Sequence, residues 1–312
     1  MTTLLYIVGL LAIAAAAAWI FRQALVMALP RQGSLLAASM PLTASFGLLI
    51  ILVYVFVALA APLIAPYGEA QVFDQINQLP GDDPRYVLGT DQIGRDLLTR
   101  LIYGARNTIG IAFITTVLAF LLGAFAGFLA ATVGGWLDQL LSRTVDALMA
   151  IPQLIFALLL ITIFGQSTIN MILVIAVLDS TRVFRLARAV AVNIVVMDYI
   201  EAAQLRGERL PYLIFREILP NATAPLIAEF GLRFCFVFLL IASLSFLGLG
   251  IQPPLADWGT MVRELSQFIN FASFDMLTGS LPLMPAGAIA LLTVSVNFVV
   301  DWMLHKTSGL KE

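Results

Sequence analysis

Long apolar stretches separated by shorter polar segments dominate the chain. A helix needs about 20 apolar residues to cross the hydrocarbon core of a bilayer, because lipid offers no partner for unpaired backbone polar groups. Seven stretches meet this requirement, with approximate bounds Leu4 to Phe21, Ser45 to Ala65, Thr108 to Val133, Val145 to Phe164, Asn170 to Val190, Pro225 to Gly250, and Leu281 to Leu304. The pattern predicts an all-α, polytopic membrane protein.

Composition supports this fold class and narrows the function. The 312 residues are 61% hydrophobic and only 12% charged, with a mean hydropathy of +0.97. A soluble domain of this length could not bury so much apolar surface, so the lipid bilayer is the expected surrounding. The formal charge is −2 and the basic residues are scattered, so no basic stripe indicates a nucleic-acid partner.

Residues that could carry catalytic chemistry are sparse. Cys235 is the only cysteine, and His305, near the carboxyl end, is the only histidine. This excludes an internal disulfide, a multi-cysteine metal site, a serine triad and a His-Glu-His zinc site, and Cys235 is interpreted as a small buried residue. The sequence also contains no Gly-x-x-x-x-Gly-Lys-Ser/Thr phosphate loop, so another polypeptide would have to bind ATP. We therefore predict a transport subunit with no catalytic residue, metal or cofactor of its own.

Basic residues set the expected orientation, because short cytoplasmic loops are enriched in Lys and Arg. Those that flank one polar segment or follow the last span are Arg182, Arg185, Arg188, Arg206, Arg209, Arg216, Lys306 and Lys311. Both regions are expected to be cytoplasmic, which puts the carboxyl terminus inside and Met1 outside. Segments 66–107 and 251–280 then face the outside, and the long loop at about 191–224 faces the cytoplasm.

The first apolar stretch is interpreted as a retained anchor. No Lys or Arg precedes it and Arg22 follows it, whereas a cleaved signal peptide begins with a basic region. We therefore divide the chain into an extra membrane helix with its short connector (1–40), the first core span with its outer segment (41–107), and the remaining core (108–312).

The long cytoplasmic loop is expected to fold as two short helices joined by a turn. Asp198 is expected to cap the first helix, and Gly207 permits a tight turn after it. The second helix would have an apolar side that includes Leu213 and Ile218, and Pro220 would end it. A polar loop that merely caps two spans is the simpler alternative.

The spacing of residues within this loop resembles that of a known protein family. The run Glu201-Ala202-Ala203, followed after three residues by Gly207 and later by Leu219-Pro220, resembles the signature loop of binding-protein-dependent ABC importer permeases. In that family the loop docks in a groove on the ATPase subunit. The resemblance implies the coupling residues Asp198, Tyr199, Glu201, Ala202, Ala203, Gly207, Leu219 and Pro220. The loop also suits docking physically, because small alanines allow close approach and Glu201 offers a charge for pairing.

One position departs from the general form of that loop. Glu217 stands where the family places an apolar residue, two before the Leu-Pro pair. The oligopeptide-like branch of the family tolerates a polar residue there, so the departure points to this branch.

The expected outer segments carry a second resemblance. The run from Gly89 to Asp96 precedes a short amphipathic stretch that Thr90 or Asp91 is expected to cap and Gly104 to close. A simple interfacial helix would account for this stretch. Its continuation through Arg106, and the later Gln252-Pro253-Pro254 and Trp258-Gly259-Thr260-Met261, are nevertheless similar to the core of dipeptide, oligopeptide and nickel permeases.

The resemblance covers about Ser45 to Leu304 and implies a six-span type I ABC importer permease core, preceded here by one extra helix. It implies the second of two homologous permeases that form a heterodimer in the bacterial inner membrane, with two ATPase subunits and an extracytoplasmic solute-binding protein. The cargo would be a short peptide or a related small solute such as a nickel complex or an opine. No substrate-contacting residue is predicted.

Charged and small residues within the spans have structural interpretations. Glu229 and Arg233, four apart, are expected to pair on one helix, in preference to a substrate contact. Asp146 and Asp179 are expected near span ends, where water is accessible. Two further residues, Gly123 and Gly127, would let two helices approach closely.

Two other functions remain open from the sequence. An ion-gradient-driven secondary transporter or channel would need intramembrane acidic or unwound features in repeated halves, and no internal repeat is visible. A membrane scaffold that recruits soluble partners would also explain a docking loop.

Overall fold

The computed structural model describes residues 2–273 and 275–307, and helices account for most of them. Met1, which was expected outside, and Lys311, which was used to assign the orientation, are not among the described residues. The first helices are α1 (Thr2–Ala28), α2 (Arg31–Ala38), α3 (Leu42–Ile64), α4 (Leu97–Val133), α5 (Gly135–Met149), α6 (Gln153–Phe164) and α7 (Thr168–Val195). They are followed by α8 (Asp198–Leu205), the single turn α9 (Leu210–Tyr212), a π-helical segment (Leu213–Ile218), α10 (Leu219–Phe246), α11 (Trp258–Leu265), a 3₁₀ segment (Ser266–Ser273), α12 (Met276–Ser280) and α13 (Leu283–Thr307).

These helices confirm the all-α, polytopic fold class. Among the described residues, five helical stretches are long and apolar enough to cross a membrane, and a sixth is added if α5 and α6 form one bent span. The five stretches contain α1, α3, α4, α10 and α13. The α7 helix is not among them, because it carries four charged side chains, at Asp179, Arg182, Arg185 and Arg188.

The predicted span from Val145 to Phe164 is not one continuous helix. The chain breaks between α5 and α6, and the two helix axes meet at 92°. Pro152 is the N-cap of α6, and a proline disfavours helical backbone at the residue before it. The apolar run therefore belongs to two helices.

The most extensive helix pair is α4 with α7. A Cβ atom on Gly123 would lie 2.4 Å from the Ser180 carbonyl oxygen, and one on Gly127 would lie 2.8 Å from the Phe184 carbonyl oxygen. Neither position has room for a side chain, so the expected close approach through small residues is confirmed.

The start of α4 differs from the expectation. Asp96, and not Thr90 or Asp91, caps the helix by accepting a hydrogen bond from the Thr99 amide at 2.7 Å. Gly104 does not close the helix either, because α4 runs on as one helix of 37 residues to Val133. The predicted interfacial helix is therefore the first part of a long span.

Two apolar clusters hold the bundle together. The larger one joins α4, α6, α7, α10, α11 and α13, and includes Phe238, Ile241 and Trp258. The smaller one lies under α8, around Ile200 and Ile218. We call the two ends of the bundle the α8 end and the α11 end.

Candidate functional site

The helix α8 is attached to the bundle by one of its faces. Ile200 and Ala203 are fully buried in the smaller apolar cluster, where the π-helical residues Ile214 and Ile218 and the α7 residue Ile194 also lie. Their spacing of three residues puts them on one side of the helix. The opposite side of α8 is left facing outward.

The predicted cap of α8 is wrong. Met197 is the N-cap and makes no side-chain hydrogen bond, while Asp198 is the first helical residue. Asp198 and Glu201 thus lie in the first turn, where negative charge is favourable next to the exposed amides of a helix N-terminus. The acidic residues stabilise the start of α8 without capping it.

A Schellman motif ends α8. The Gly207 amide donates to the Gln204 carbonyl at 2.9 Å, and the Glu208 amide donates to the Ala203 carbonyl at 3.2 Å. Gly207 has a φ of +82°, a conformation that side-chain-bearing residues rarely adopt. The expected tight turn at Gly207 is present, with the positive φ that makes glycine the preferred residue.

The second short helix does not end at Pro220. The chain passes from α9 through the π-helical segment Leu213–Ile218 directly into α10, and Pro220 lies in the first turn of α10. A proline in a helix removes one hydrogen bond and crowds the preceding turn. The wider π-helical turn before Pro220 is where the backbone hydrogen bonding changes, so the chain needs no break there.

The outward side of this region, the α8 element (residues 196–222), is both apolar and charged. Glu201 and Ala202 are exposed, and Leu205 is 83% exposed. Other exposed apolar side chains near α8 are Val196, Met197, Tyr199 and Phe215. Within the described chain, no ion pair is formed by the side chain of Glu201.

The predicted coupling residues divide between the two sides. Asp198, Tyr199, Glu201, Ala202, Gly207 and Pro220 are exposed, Leu219 is half-buried, and Ala203 is buried. The Tyr199 hydroxyl accepts a hydrogen bond from the Asn221 side chain at 3.2 Å, which ties α8 to α10. Leu205 is apolar like Ile200 and Ala203 but does not share their buried face. Its position five residues after the buried Ile200 is the signal that could have placed it outside.

At the α11 end, buried charges form a second distinctive region. Arg100 Nη1 lies 2.7 Å from Asp91 Oδ2 and 2.6 Å from Glu264 Oε2, and Arg95 Nε lies 2.7 Å from the same Asp91 oxygen. Arg100 is only 2% exposed. We call these four residues, Asp91, Arg95, Arg100 and Glu264, the Arg100 network. It fixes the segment before α4 to α11.

Trp258 makes a further contact between α11 and α4. The Trp258 indole donates to the Leu101 carbonyl at 2.9 Å, and a Cβ atom on Gly104 would lie 2.5 Å from the indole ring. Asp257 caps α11 by accepting hydrogen bonds from the Gly259 and Thr260 amides. Burial raises the pKa of the Asp257 carboxyl, and hydrogen bonds from Thr260 and Gly259 oppose that rise.

Inside the bundle, three charged residues meet between α7 and α10. Arg233 Nε lies 2.7 Å from Glu229 Oε1, so the predicted pair is confirmed. Arg233 Nη1 also lies 3.7 Å from Asp179 Oδ1. Asp179 is fully buried, which corrects its expected place near water, whereas Asp146 is exposed and pairs with Arg185 at 2.5 Å. Cys235 is buried, as expected.

Comparison with known proteins decides the family. The profile of the binding-protein-dependent transport system inner membrane component family matches residues 119–307, which include the whole α8 element. The chain belongs to this family. It is an ABC importer permease, so the predicted family is confirmed, while the coupling role of the loop stays a prediction.

Named relatives extend the match toward the amino terminus. The permease is 36% identical over 260 residues to the di/tripeptide transport system permease protein DppC of Pseudomonas aeruginosa, with 82% of this chain and 84% of the relative covered. It is 34% identical over 255 residues to the dipeptide transport system permease protein DppC of Alkalihalophilus pseudofirmus, covering 82% of each. It is 30% identical over 254 residues to the glutathione transport system permease protein GsiD of Pectobacterium atrosepticum, covering 81% and 82%.

Proposed function

We propose that this permease moves short peptides across the bacterial inner membrane, as one half of a heterodimer with a homologous permease. Two separate ATPase subunits would supply the energy, and an extracytoplasmic solute-binding protein would deliver the cargo. Relatives named for dipeptides, di/tripeptides and glutathione support a peptide cargo. Membership of a binding-protein-dependent family supports the division of labour.

The single observation that carries the mechanism is the two-sided α8. Ile200 and Ala203 anchor its inner face, while Ala202, Glu201 and Leu205 are presented outward. Several exposed apolar side chains lie near Leu205 in this element, and grouped exposed apolar side chains are typical of an interaction surface. A helix in a groove is a common mode of recognition. We propose that the ATPase groove receives this face, and that α8 passes its movement into α7 and α10, the helices at either end of the α8 element.

The proposed orientation puts the α8 element in the cytoplasm and the α11 end outside. The arginines of α7 and of the α8 element favour this arrangement. We retain the division of the chain after residue 40 as part of the proposal, whereas a division at residue 107 would fall inside α4. An ion-gradient-driven transporter is not favoured by the family match.

Two measurements test the proposal. In a background with Cys235 replaced, a cysteine at Gln204 should react with an impermeant thiol reagent only after the membrane is opened, and one at Gln78 should react in intact spheroplasts. Proteoliposomes containing both permeases and both ATPases should take up di- or tripeptides only with ATP and the binding protein, and the isolated chain should hydrolyse no ATP. Reversed labelling would refute the orientation, and ATP-independent uptake would refute the mechanism.

A further inference from the structure

The charges between α7 and α10 do not balance. Asp179 and Glu229 are both close to Arg233, so two carboxylates share one guanidinium. The set carries one formal negative charge in excess, and it is largely buried between the two helices. Burying a charge that is not fully paired is costly.

Asp179 lies farther from the Arg233 guanidinium than Glu229 does. Its side chain is 0% exposed, and neither carboxylate oxygen accepts a hydrogen bond from any residue that the structure describes. The Gln153 amide lies beside the carboxylate without reaching hydrogen-bond geometry. Buried carboxylates are normally satisfied by donors, so Asp179 is an acceptor that lacks its donor.

A cavity is lined by residues that flank Asp179, although Asp179 itself does not line it. It has a volume of about 110 Å³, sits at the break between α5 and α6, and is lined by Gln153, Thr181 and Arg182 together with apolar side chains. Gln153 thus belongs both to the cavity wall and to the surroundings of Asp179. Arg182, on the cavity wall, is exposed, whereas the Asp179 carboxylate is buried behind the wall.

Arg182 differs from the other two arginines of α7. Arg185 pairs with Asp146 at 2.5 Å, and Arg188 pairs with Asp138. Within residues 2–273 and 275–307, Arg182 forms no ion pair. The cavity therefore has on its wall one guanidinium that forms no ion pair with a described residue, and it lies near a carboxylate whose nearest cation, Arg233, stands 3.7 Å away, beyond hydrogen-bond distance.

We propose that this cavity is a transient binding site for the charged ends of a short zwitterionic peptide on the transport path. Asp179 would accept hydrogen bonds from the α-ammonium group, and Arg182 would donate to the α-carboxylate. Gln153, between them, would bind a main-chain polar group. The inference rests on the proposed function, because it names the groups by which the permease recognises a peptide.

The first test compares peptides with blocked ends. Proteoliposomes containing the complete transporter and its binding protein would be given labelled dialanine, N-acetyl-dialanine or dialanine amide. Asp179→Asn should lower dialanine uptake about tenfold, the loss expected for one hydrogen bond to a charged group, and change N-acetyl-dialanine uptake little. Arg182→Gln should likewise lower dialanine uptake about tenfold and change the uptake of dialanine amide little. Arg185→Gln is the matched control, and should leave both ratios as in the wild type.

The second test does not depend on delivery by the binding protein. In a Cys235→Ser background, Leu148→Cys on the cavity wall would be labelled with a thiol reagent in the purified complex. Millimolar dialanine should slow the labelling, N-acetyl-dialanine should slow it less, and the protection by dialanine should be lost in Asp179→Asn. Retention of the partner subunits in pull-down shows that each variant is folded.

The outcomes separate the two proposals. Equal loss of uptake for free and blocked peptides, or labelling that no peptide slows, would overturn the cavity assignment and make these residues structural. A wild-type transporter that takes up none of the three compounds contradicts the proposed peptide function instead, and the labelling experiment then still decides whether the cavity binds a zwitterion.

Discussion

The α8 element and the Arg100 network differ in how far their charged side chains are buried and paired. In the Arg100 network, Arg100 is 2% exposed and lies within hydrogen-bond distance of Asp91 and Glu264. In the α8 element, Glu201 is exposed beside the exposed Leu205, and the described structure pairs it with no cation. The charges of the first region are paired with one another within this chain, and the second region presents a charge and an apolar side chain at the surface.

This difference in burial and pairing predicts that changes in the two regions affect different properties, namely folding stability in the Arg100 network and subunit assembly in the α8 element. Breaking a buried ion pair leaves an uncompensated charge and costs about 3–5 kcal/mol, whereas exposed pairs contribute about 0–1 kcal/mol. Damage to the Arg100 network should therefore appear in folding. Damage to the α8 element should appear in ATPase attachment and coupling while the permease stays folded.

The largest effect is expected from Arg100→Met. It leaves Asp91 and Glu264 without their shared guanidinium, so the permease should lose thermal stability and membrane abundance. The matched control is Arg85→Met, since Arg85 pairs with Asp83 at 2.7 Å but is 59% exposed. Thermal unfolding in detergent measures both, and equal melting temperatures for the two variants would contradict the buried network's role.

The next effect is expected from Gly207→Val. A side chain at a φ of +82° strains the turn by about 1–2 kcal/mol and alters the angle at which α8 is presented. Uptake should fall, with weaker ATPase retention or with hydrolysis uncoupled from transport, while membrane insertion survives.

Gly81→Val is the control for backbone strain. Gly81 has a φ of +96° and, like Gly207, open space around its Cβ position, but it lies far along the chain from α8. The control should carry similar strain with normal coupling. Wild-type uptake and ATPase retention in Gly207→Val would show that the α8 element is not the coupling element.

A smaller effect is expected from Leu205→Ser. An exposed side chain contributes little to the fold, so stability should change by less than about 0.5 kcal/mol. If the ATPase covers Leu205, pull-down of the ATPase should weaken severalfold, because apolar burial would be lost. Val87→Ser, at another exposed apolar position (64% exposed), is the control and should leave ATPase retention unchanged.

The smallest effect is expected from Glu201→Ala. A solvated charge pair with the ATPase contributes only about 0–1 kcal/mol, and salt screens it. ATPase retention should decrease slightly at low ionic strength and match the wild type at high ionic strength. A large loss that salt does not change would indicate a buried contact at Glu201.

The sequence was sufficient for the features that depend on neighbouring residues. Apolar length predicted the spans that contain α1, α3, α4, α10 and α13. The spacing of Glu201, Ala202, Ala203 and Gly207 indicated the family, and the four-residue spacing of Glu229 and Arg233 predicted their pair. These features follow from helix geometry and from the bilayer, so no distant contact is needed to infer them.

Only the tertiary structure decided which residues meet across the chain. Asp91 and Glu264 meet at Arg100, and Asp179 reaches Arg233 from another helix, although sequence spacing carries no information on such pairs. Pro152 could have indicated the break between α5 and α6, whereas the 92° angle there and the π-helical turn before Pro220 are visible only in the structure. Periodicity fixes the faces of a helix, but the side chain that each face contacts depends on the arrangement of the whole bundle.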